Sequence, residues 1–265
     1  MNTHLHRLMS VRNSDPENRP RLAPLRHVAK GVSVATLALL TSTAAIAADI
    51  NTIGTLGQRD FRLLSQDLGA ALSYKGLVPA ETLGITGFDV SFAVTATRLE
   101  NESILSRAAD NADISSTFPV PSLRVYKGLP FGLSIGGMLA QSSATDIRLI
   151  GGEVRWAFVP GNVVLPAVAI RGAMTKVTGI DQLDFDTQSV DVSISKGFLM
   201  LTPYAGIGRV RVSSTPKGIA SLGPEKFSQT RTFVGVNVNL GVNLAFEADK
   251  TGDTTSYGVK VGIRF

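Results

Sequence analysis

The sequence predicts an all-β protein: a transmembrane, antiparallel, up-and-down β-barrel of about ten strands with a short N-terminal helix. Three observations indicate this fold. Apolar and polar residues alternate in many segments, several candidate strands run for 10 to 14 residues, and short turns alternate with longer connections. A tilted strand of this length can cross a bilayer, whereas most soluble strands are shorter. Apolar and polar residues also alternate in the strands of a soluble β-sandwich. The prediction of a barrel therefore depends on strand length and on the alternation of short turns with longer connections.

Residues 1–47 are expected to form a secretory signal peptide with a long basic n-region. Arg21, Arg26 and Lys30 precede an apolar run, and the small residues Ala45-Ile46-Ala47 provide a cleavage site. The segment has six basic and two acidic residues, so its removal takes away four of the five net positive charges. The remaining chain is almost neutral, and a nucleic-acid partner is therefore not expected.

Residues 48–86 are expected to be a periplasmic or plug segment with a helix at about residues 59–72. Phe61, Leu64, Leu68 and Leu72 recur at helical spacing and give this helix one apolar face. It could enter the lumen as a plug or rest at the periplasmic mouth, packed against the barrel rim. If Gly69 to Lys75 were a strand instead, a twelfth strand would be needed within residues 48–66 to keep the count even.

Residues 87–265 are expected to form the barrel itself. Ten strands keep both ends of the barrel on one side of the membrane, as bacterial barrels require. The predicted strands are 87–98, 120–127, 131–142, 145–158, 163–175, 187–197, 199–213, 229–240, 243–250 and 256–265.

The connections between these strands are expected to be short on one side and longer on the other. Short turns lie at 127–130, 159–162, 196–197 and near Gly241, and longer connections at 99–118, 176–187 and 213–229. Residues 99–113 have weak helical spacing and could fold over the mouth as a lid. A solvated surface loop is the favoured alternative for this stretch.

The last predicted strand has an alternating pattern that finishes on an aromatic residue. Tyr257, Val259, Val261, Ile263 and Phe265 alternate with small or polar residues, and the sequence stops on the phenylalanine. This resembles the assembly signal of small outer-membrane β-barrel proteins of Gram-negative bacteria. The resemblance covers the signal peptide, the last ten residues and the overall rhythm. It implies insertion by the barrel assembly machinery and an outer-membrane location among lipid and lipopolysaccharide.

Charged residues within the strands are expected to face the lumen. An Arg or Lys on the lipid face near the bilayer midplane costs about 2–4 kcal/mol. Counting from the apolar neighbours predicts these lumen-lining residues: Asp89, Arg124, Glu153, Arg155, Arg171, Asp191, Arg209, Arg211, Arg231, Glu247, Asp249, Lys260 and Arg264. Such side chains either pair and close a narrow barrel or line a weakly basic, anion-preferring path.

An enzymatic function is not expected. His4, His6 and His27 all precede the cleavage site and the sequence has no cysteine, so the exported chain has no histidine base or thiol nucleophile. No cofactor is expected. Asp181, Asp184 and Asp186 are a weak candidate for a metal site, but their spacing is not that of a calcium loop.

These observations predict a passive conduit for small solutes in the outer membrane. The alternative is a closed barrel with a structural or surface-interaction role. The two differ in whether the lumen is open, which depends on barrel geometry and on the position of the N-terminal helix.

Overall fold

A closed antiparallel barrel of ten strands makes up most of the structure. The computed structural model describes residues 50, 52–110, 115–141 and 148–265, so the predicted signal peptide lies outside the described residues. Neighbouring strands in the chain are neighbours in the barrel, and β1 closes it against β10. The strands are β1 Phe88–Arg98, β2 Thr117–Gly128, β3 Leu133–Gln141, β4 Arg148–Val159, β5 Ala167–Thr178, β6 Leu183–Ser195, β7 Leu201–Pro216, β8 Glu225–Asn239, β9 Asn243–Thr251 and β10 Thr254–Arg264.

The closure confirms the ten-strand prediction over the twelve-strand alternative. Strands β1 and β10 pair from Asp89 opposite Arg264 to Arg98 opposite Thr255. Phe88 and Phe265 then exchange two backbone hydrogen bonds, of 3.1 and 2.9 Å. We call the end where β1 begins and β10 finishes the terminal end, and the opposite end the far end.

The connections differ in part from those expected. The β1–β2 connection spans residues 99–116 and is long as predicted, but residues 179–182 and 217–224 form shorter links than the 176–187 and 213–229 connections expected. The ladders continue outward through pairs such as Lys176 with Asp186 and Ser213 with Lys226. Polar side chains made these segments resemble loops, although backbone pairing extends through them.

Two α-helices accompany the barrel. Helix α1, Gln58–Leu72, begins one residue before the predicted helix and ends where predicted; the N–H of the next residue, Ser73, donates to the Gly69 carbonyl at 3.2 Å. Helix α2, Glu102–Ala108, lies in the β1–β2 connection, with Ile104, Leu105 and Ala108 buried. The expectation of a solvated loop was therefore wrong here, because the weak helical spacing does form a packed helix. Short 3-10 turns occur at Ile53–Thr55 and Pro130–Gly132.

No helix in the described ranges is both long enough and apolar enough to cross a bilayer.

The outward face of the barrel carries a continuous belt of exposed apolar side chains, which we call the apolar belt. On β7 the outward residues Leu201 and Ile207 are apolar, and Arg209 and Arg211 follow toward the far end. The same change from apolar to charged outward residues toward the far end occurs on β1, β4, β5, β6, β8 and β9. Members of the belt include Val90, Leu123, Ile135, Leu139, Ile150, Val154, Trp156, Ile170, Met174, Val190, Val192, Ile194, Leu201, Ile207, Val234, Phe246, Tyr257, Val259 and Ile263.

Candidate functional site: the filled lumen

Helix α1 occupies the far-end half of the lumen. Its apolar residues Phe61, Leu64 and Leu68 are at most 1% exposed and pack in one cluster with Val210 and Val212 of β7. The inward residues of several other strands in this half are also apolar, so the wall matches the helix. Apolar burial therefore holds the helix inside the barrel.

A helical glycine lets α1 approach the wall closely. A Cβ atom on Gly69 would lie 2.5 Å from Cγ2 of Val212, closer than real side chains pack. Nearby, the Ser65 hydroxyl donates to Ser214 Oγ at 2.9 Å across the same contact. The helix therefore meets β7 directly, with no space for water or solute between them.

Polar contacts join α1 to the far-end loops and to the strand ends beside them. Arg62 forms an ion pair with Glu225 at 2.7 Å. The Asp67 carboxylate accepts from the Asn101 N–H at 2.7 Å and from the Thr254 hydroxyl at 3.3 Å. Burial raises the pKa of the Asp67 carboxyl above its ordinary value, although both donors act in the opposite direction.

Helix α2 covers α1 at the far end. The Thr52 N–H donates to the Ala108 carbonyl at 3.0 Å, and the Thr52 hydroxyl donates to the Arg107 carbonyl at 2.7 Å. Arg107 also pairs with Asp60 of α1 at 2.6 Å. The start of the described chain and α2 thus form one lid over the far-end mouth.

Residues 73–87 continue from α1 to the terminal end, where β1 begins, and we call this segment the strap. Wall side chains donate to its backbone carbonyls. Arg231 donates to Tyr74 O at 2.7 Å, the Tyr126 hydroxyl to Gly76 O at 2.6 Å and Arg155 to Pro79 O at 2.8 Å. Arg124 donates to Lys75 O, and just before the strap Thr175 donates to the carbonyl of Leu72, the last residue of α1, at 2.9 Å.

An ionic network surrounds the strap in the middle of the barrel. Arg231 approaches Glu247 at 3.0 Å and Asp249 at 2.9 Å, and Lys75 of the strap lies 3.3 Å from the same Asp249. Tyr204 donates to the other oxygen of Glu247 at 3.0 Å. These side chains are at most 6% exposed, so strap and wall share one buried network.

A second ionic group lies on the adjacent wall. Arg171 binds Asp191 with two nitrogens, at 3.1 and 2.7 Å, and reaches Glu153 at 3.4 Å. A Cβ atom on Gly76 would lie 1.8 Å from an Arg171 nitrogen. A larger residue at this position would displace the guanidinium, which Asp191 and Glu153 hold in place.

Wall glycines make room for the strap's larger side chains. A Cβ atom on Gly151 would lie 2.8 Å from the Tyr74 ring, and one on Gly258 would lie 2.5 Å from Leu77. Tyr74 and Leu77 are fully buried. The wall is therefore shaped to this segment, as expected for a permanent part of the lumen.

The terminal-end part of the lumen is also filled. Lys260 pairs with Asp89 at 2.7 Å, and both are buried. Ala80 of the strap packs against Ala157, Ala167 and Ala169.

Most of the predicted lumen residues lie on the inward face. Ten of them are no more than 6% exposed in the structure: Asp89, Arg124, Glu153, Arg155, Arg171, Asp191, Arg231, Glu247, Asp249 and Lys260. Arg264 has the same strand parity as Lys260 and is half-buried, opposite Asp89 of β1. In place of a water-filled path, many of these residues contact the strap or one another.

Arg209 and Arg211 differ from the expectation, because both are exposed on the outward face of β7. An inward Arg209 and Arg211 would require Val210 and Val212 to face the lipid, but these two valines face inward and pack against α1. The two arginines lie beyond the apolar belt toward the far end, where an outward charge does not meet the bilayer midplane.

The weak metal candidate is not supported by the geometry. Asp184 and Asp186 lie on the outward face of β6, and Asp181 lies in the preceding link. In the described part of the chain, no three or more Asp, Glu, His or Cys side chains gather as a metal site would require. The predicted assembly residues Tyr257, Val259, Val261, Ile263 and Phe265 share the outward face of β10.

Sequence reasoning predicted that Arg124, Arg155 and Arg231 face inward, but it missed the strap that they bind and the buried tyrosines around it. Tyr74, Tyr126 and Tyr204 are buried at the centre of the barrel, and Thr175 bonds both Leu72 O and Thr187. The sequence does contain one indication of an inner partner. Along β7 the apolar residues shift from odd positions, Leu201 and Ile207, to even positions, Val210 and Val212, and so from the outward to the inward face. Such a change indicates an apolar partner inside the barrel.

Comparisons with known proteins give distant matches to solved structures. No family model matches the chain, and no curated protein matches it. The N-terminal β-barrel domain of OprF from Pseudomonas aeruginosa is 13% identical over 67% of this chain and 97% of its own, with a TM-score of 0.34. Ail, the attachment invasion locus protein of Yersinia pestis, is 14% identical over 70% and 99%, with a TM-score of 0.30. The translocator domain of the autotransporter NalP from Neisseria meningitidis is 11% identical over 84% and 99%, with a TM-score of 0.38. Likeness this distant carries no argument about function.

Proposed function

We propose that the protein is an integral outer-membrane β-barrel closed at rest by its own N-terminal segment. The observation that carries this proposal is the strap. Five wall side chains donate to backbone carbonyls along residues 72–79, between an apolar helix on one side and a packed alanine cluster on the other. These contacts place α1 in the far-end half of the lumen and the strap in its middle and terminal-end parts.

The outward surface supports the membrane location. The apolar belt surrounds the barrel, while Arg98, Arg148, Lys176, Arg209 and Lys250 are exposed beyond it at the far end. A bilayer that covers the belt would leave these charges in the headgroup region or in water. The turns of the terminal end carry exposed Phe131, Val163 and Leu199, which suit the opposite interface.

Bacterial barrels have short periplasmic turns and longer external loops, which assigns the far end to the outside. The longest connection, residues 99–116, lies at that end and carries the α2 lid. The closed barrel then presents α2 and its neighbouring loops to the exterior, which favours a structural or surface-interaction role, with lipopolysaccharide as a candidate contact. The assembly machinery and the β10 signal belong to the same proposal.

A conduit for small solutes is the second candidate, and it would require α1 and the strap to leave the lumen. The inward arginines cannot act as a free anion filter while they bind carboxylates and strap carbonyls. Neither candidate involves catalysis, a cofactor or a metal ion.

Single-channel recording in planar bilayers tests the proposal. The exported chain, residues 48–265, is compared with a variant that locks the helix to the wall, Ser65→Cys with Ser214→Cys. The two serine oxygens are 2.9 Å apart, and the natural sequence contains no cysteine that could compete. Heat-modifiable migration and flotation with vesicles verify that each preparation is folded and inserted. Deletion of residues 48–75 provides the variant expected to be open.

We expect no stable channel steps from the natural chain, or from the locked variant in oxidised or reduced form. Steps in the natural chain that the oxidised lock removes would show that α1 moves out to open a conduit. Steps that persist in the oxidised lock would show that the segment does not close the barrel at all.

A further inference from the structure

The barrel wall has a gap between β2 and β3 toward the far end. Strand β2 pairs with β1 along the whole of β1, from Phe88 opposite Lys127 to Arg98 opposite Thr117. With β3 it pairs only from Leu123 opposite Leu139 to Gly128 opposite Ser134. Ser122 and Pro121 have no β3 partner, although Ala140 and Gln141, the positions in register, belong to β3 and pair with β4.

Two prolines explain why the ladder stops there. The Leu99 N–H donates to Ser116 O and the Gly128 N–H to Gly87 O, so the even-numbered residues of β2 direct their backbone groups toward β1. The odd-numbered residues, including Pro119 and Pro121, therefore face β3. Proline has no N–H to donate, so this edge of β2 cannot continue the ladder.

A crevice of about 520 Å³ opens at this gap. Its outward walls are Phe92, Leu123, Leu139 and Ile150, all residues of the apolar belt or beside it. Ser122, Ala140 and Leu149 form its floor, and the latter two belong to the apolar cluster around α1. Its volume lies within the roughly 300–1,000 Å³ of typical small-molecule sites.

The far-end rim of the crevice is polar. Gln141 and Arg148, which pair across β3 and β4, are exposed there. Within the described part of the chain, the Arg148 guanidinium forms no ion pair. A cation at the edge of an apolar crevice, at the boundary of a membrane-facing belt, matches an amphiphile with an acyl chain and an anionic head.

We propose that this crevice is a lateral binding site for one acyl chain of an anionic membrane lipid, with Arg148 at its headgroup. The inference rests on the proposed membrane location, because the crevice is continuous with the apolar belt. The prolines of β2 build the site by keeping two strands apart where a complete ladder would leave no space for a chain.

Photolabelling tests this proposal in the full exported chain folded in neutral detergent. The probe is phosphatidylglycerol with a photoactivatable diazirine in one acyl chain, and the labelled peptides are mapped by mass spectrometry. We expect labelling concentrated at Leu123, Leu139 and Ile150. Leu139→Trp, which fills the crevice, is expected to reduce this labelling at least about fivefold. Ile135→Trp, on the same strand and face but outside the crevice, provides the matched control and is expected to leave it unchanged.

The headgroup is tested with a phosphatidylcholine probe that carries the same acyl chain. We expect the natural chain to prefer the phosphatidylglycerol probe, Arg148→Gln to lose that preference, and Arg98→Gln to keep it. Labelling spread evenly around the belt, or unaffected by Leu139→Trp, would overturn the site. An unchanged preference in Arg148→Gln would overturn its headgroup role. Flotation with vesicles is measured separately, so failure of the membrane location shows as loss of flotation and is distinguished from failure of the crevice.

Discussion

Arg231 shows how a single inward side chain joins the wall to the strap. Its guanidinium neutralises Glu247 and Asp249 and also donates to the carbonyl of Tyr74. A buried carboxylate that loses its cation is left without compensation, and this is more costly than losing an exposed ion pair.

We therefore expect Arg231→Gln to lower the free energy of unfolding by about 3–5 kcal/mol. Arg209→Gln, on the exposed face of β7, should change it by about 0.5 kcal/mol or less. Urea-induced unfolding from lipid vesicles measures both values. Equal effects of the two substitutions would contradict the inward and outward assignments.

Asp67 is one of the titratable residues that connect α1 to the far end of the barrel. Because its folded-state pKa is raised, the folded protein binds this proton more tightly than the unfolded chain does. The contribution of Asp67 to stability is therefore most favourable at acidic pH and declines as the pH rises from the unfolded pKa through the folded one. Its hydrogen bonds to Asn101 and Thr254 reduce this effect without changing its sign.

We expect Asp67→Asn to remove this pH dependence. Relative to the natural chain, the variant should gain stability on going from about pH 3.5 to about pH 7. The midpoint of heat-induced unfolding in detergent, measured at both pH values, provides the test. A relative loss of stability over the same range would mean that the pKa is lowered by its hydrogen-bond donors.

At the scale of elements, the contact of α1 with β7 decides how well the lumen is filled. Alanine is usually favoured over glycine inside a helix by about 1 kcal/mol. At Gly69 the added methyl group would meet Val212, and overpacking of a filled interior typically costs about 1–3 kcal/mol.

We expect Gly69→Ala to destabilise the protein and Val212→Ala to relieve the effect when both are present. A double-mutant cycle in unfolding free energy should give a coupling of about 1 kcal/mol or more. If Gly69→Ala alone stabilised the protein, the close approach of helix and wall would be wrong.

The elements themselves were largely predictable from the sequence. Alternation located all ten strands, and the spacing of Phe61, Leu64, Leu68 and Leu72 located α1 to within one residue. The boundaries of β5 to β8 were less accurate, because these strands continue beyond the belt with polar outward residues. Helix α2 was weakly indicated, because its burial depends on α1, which lies far from it in the sequence.

The lumen was predictable in part. The expectation of inward charges is met where the wall residues pair with side chains of opposite charge, as at Asp191 and Glu247. It does not apply in the far-end half, where the wall meets an apolar helix and the inward residues are Val210 and Val212. The strap was not predictable. Many of its wall contacts are made by backbone carbonyls, which are present at every residue and leave no pattern in the sequence.

At the scale of the whole molecule, the segment that precedes β1 in the sequence runs through the lumen of the barrel that the following strands form. The start of α1 lies with the far-end loops, through Arg62 and Glu225, and the strap reaches the terminal end at β1. Because we propose that the far end lies outside, we expect the beginning of α1 to be exposed at the cell surface and the turn that contains Val163 to face the periplasm.

Labelling of single cysteines on intact cells with a membrane-impermeant maleimide tests this threading most directly. Arg59 and Val163 are both exposed, at opposite ends of the barrel. We expect Arg59→Cys to react on intact cells and Val163→Cys to react only after the outer membrane is permeabilised. If both cysteines required permeabilisation, α1 would begin on the periplasmic side, and the account of a barrel closed by a segment threaded from the outside would be contradicted.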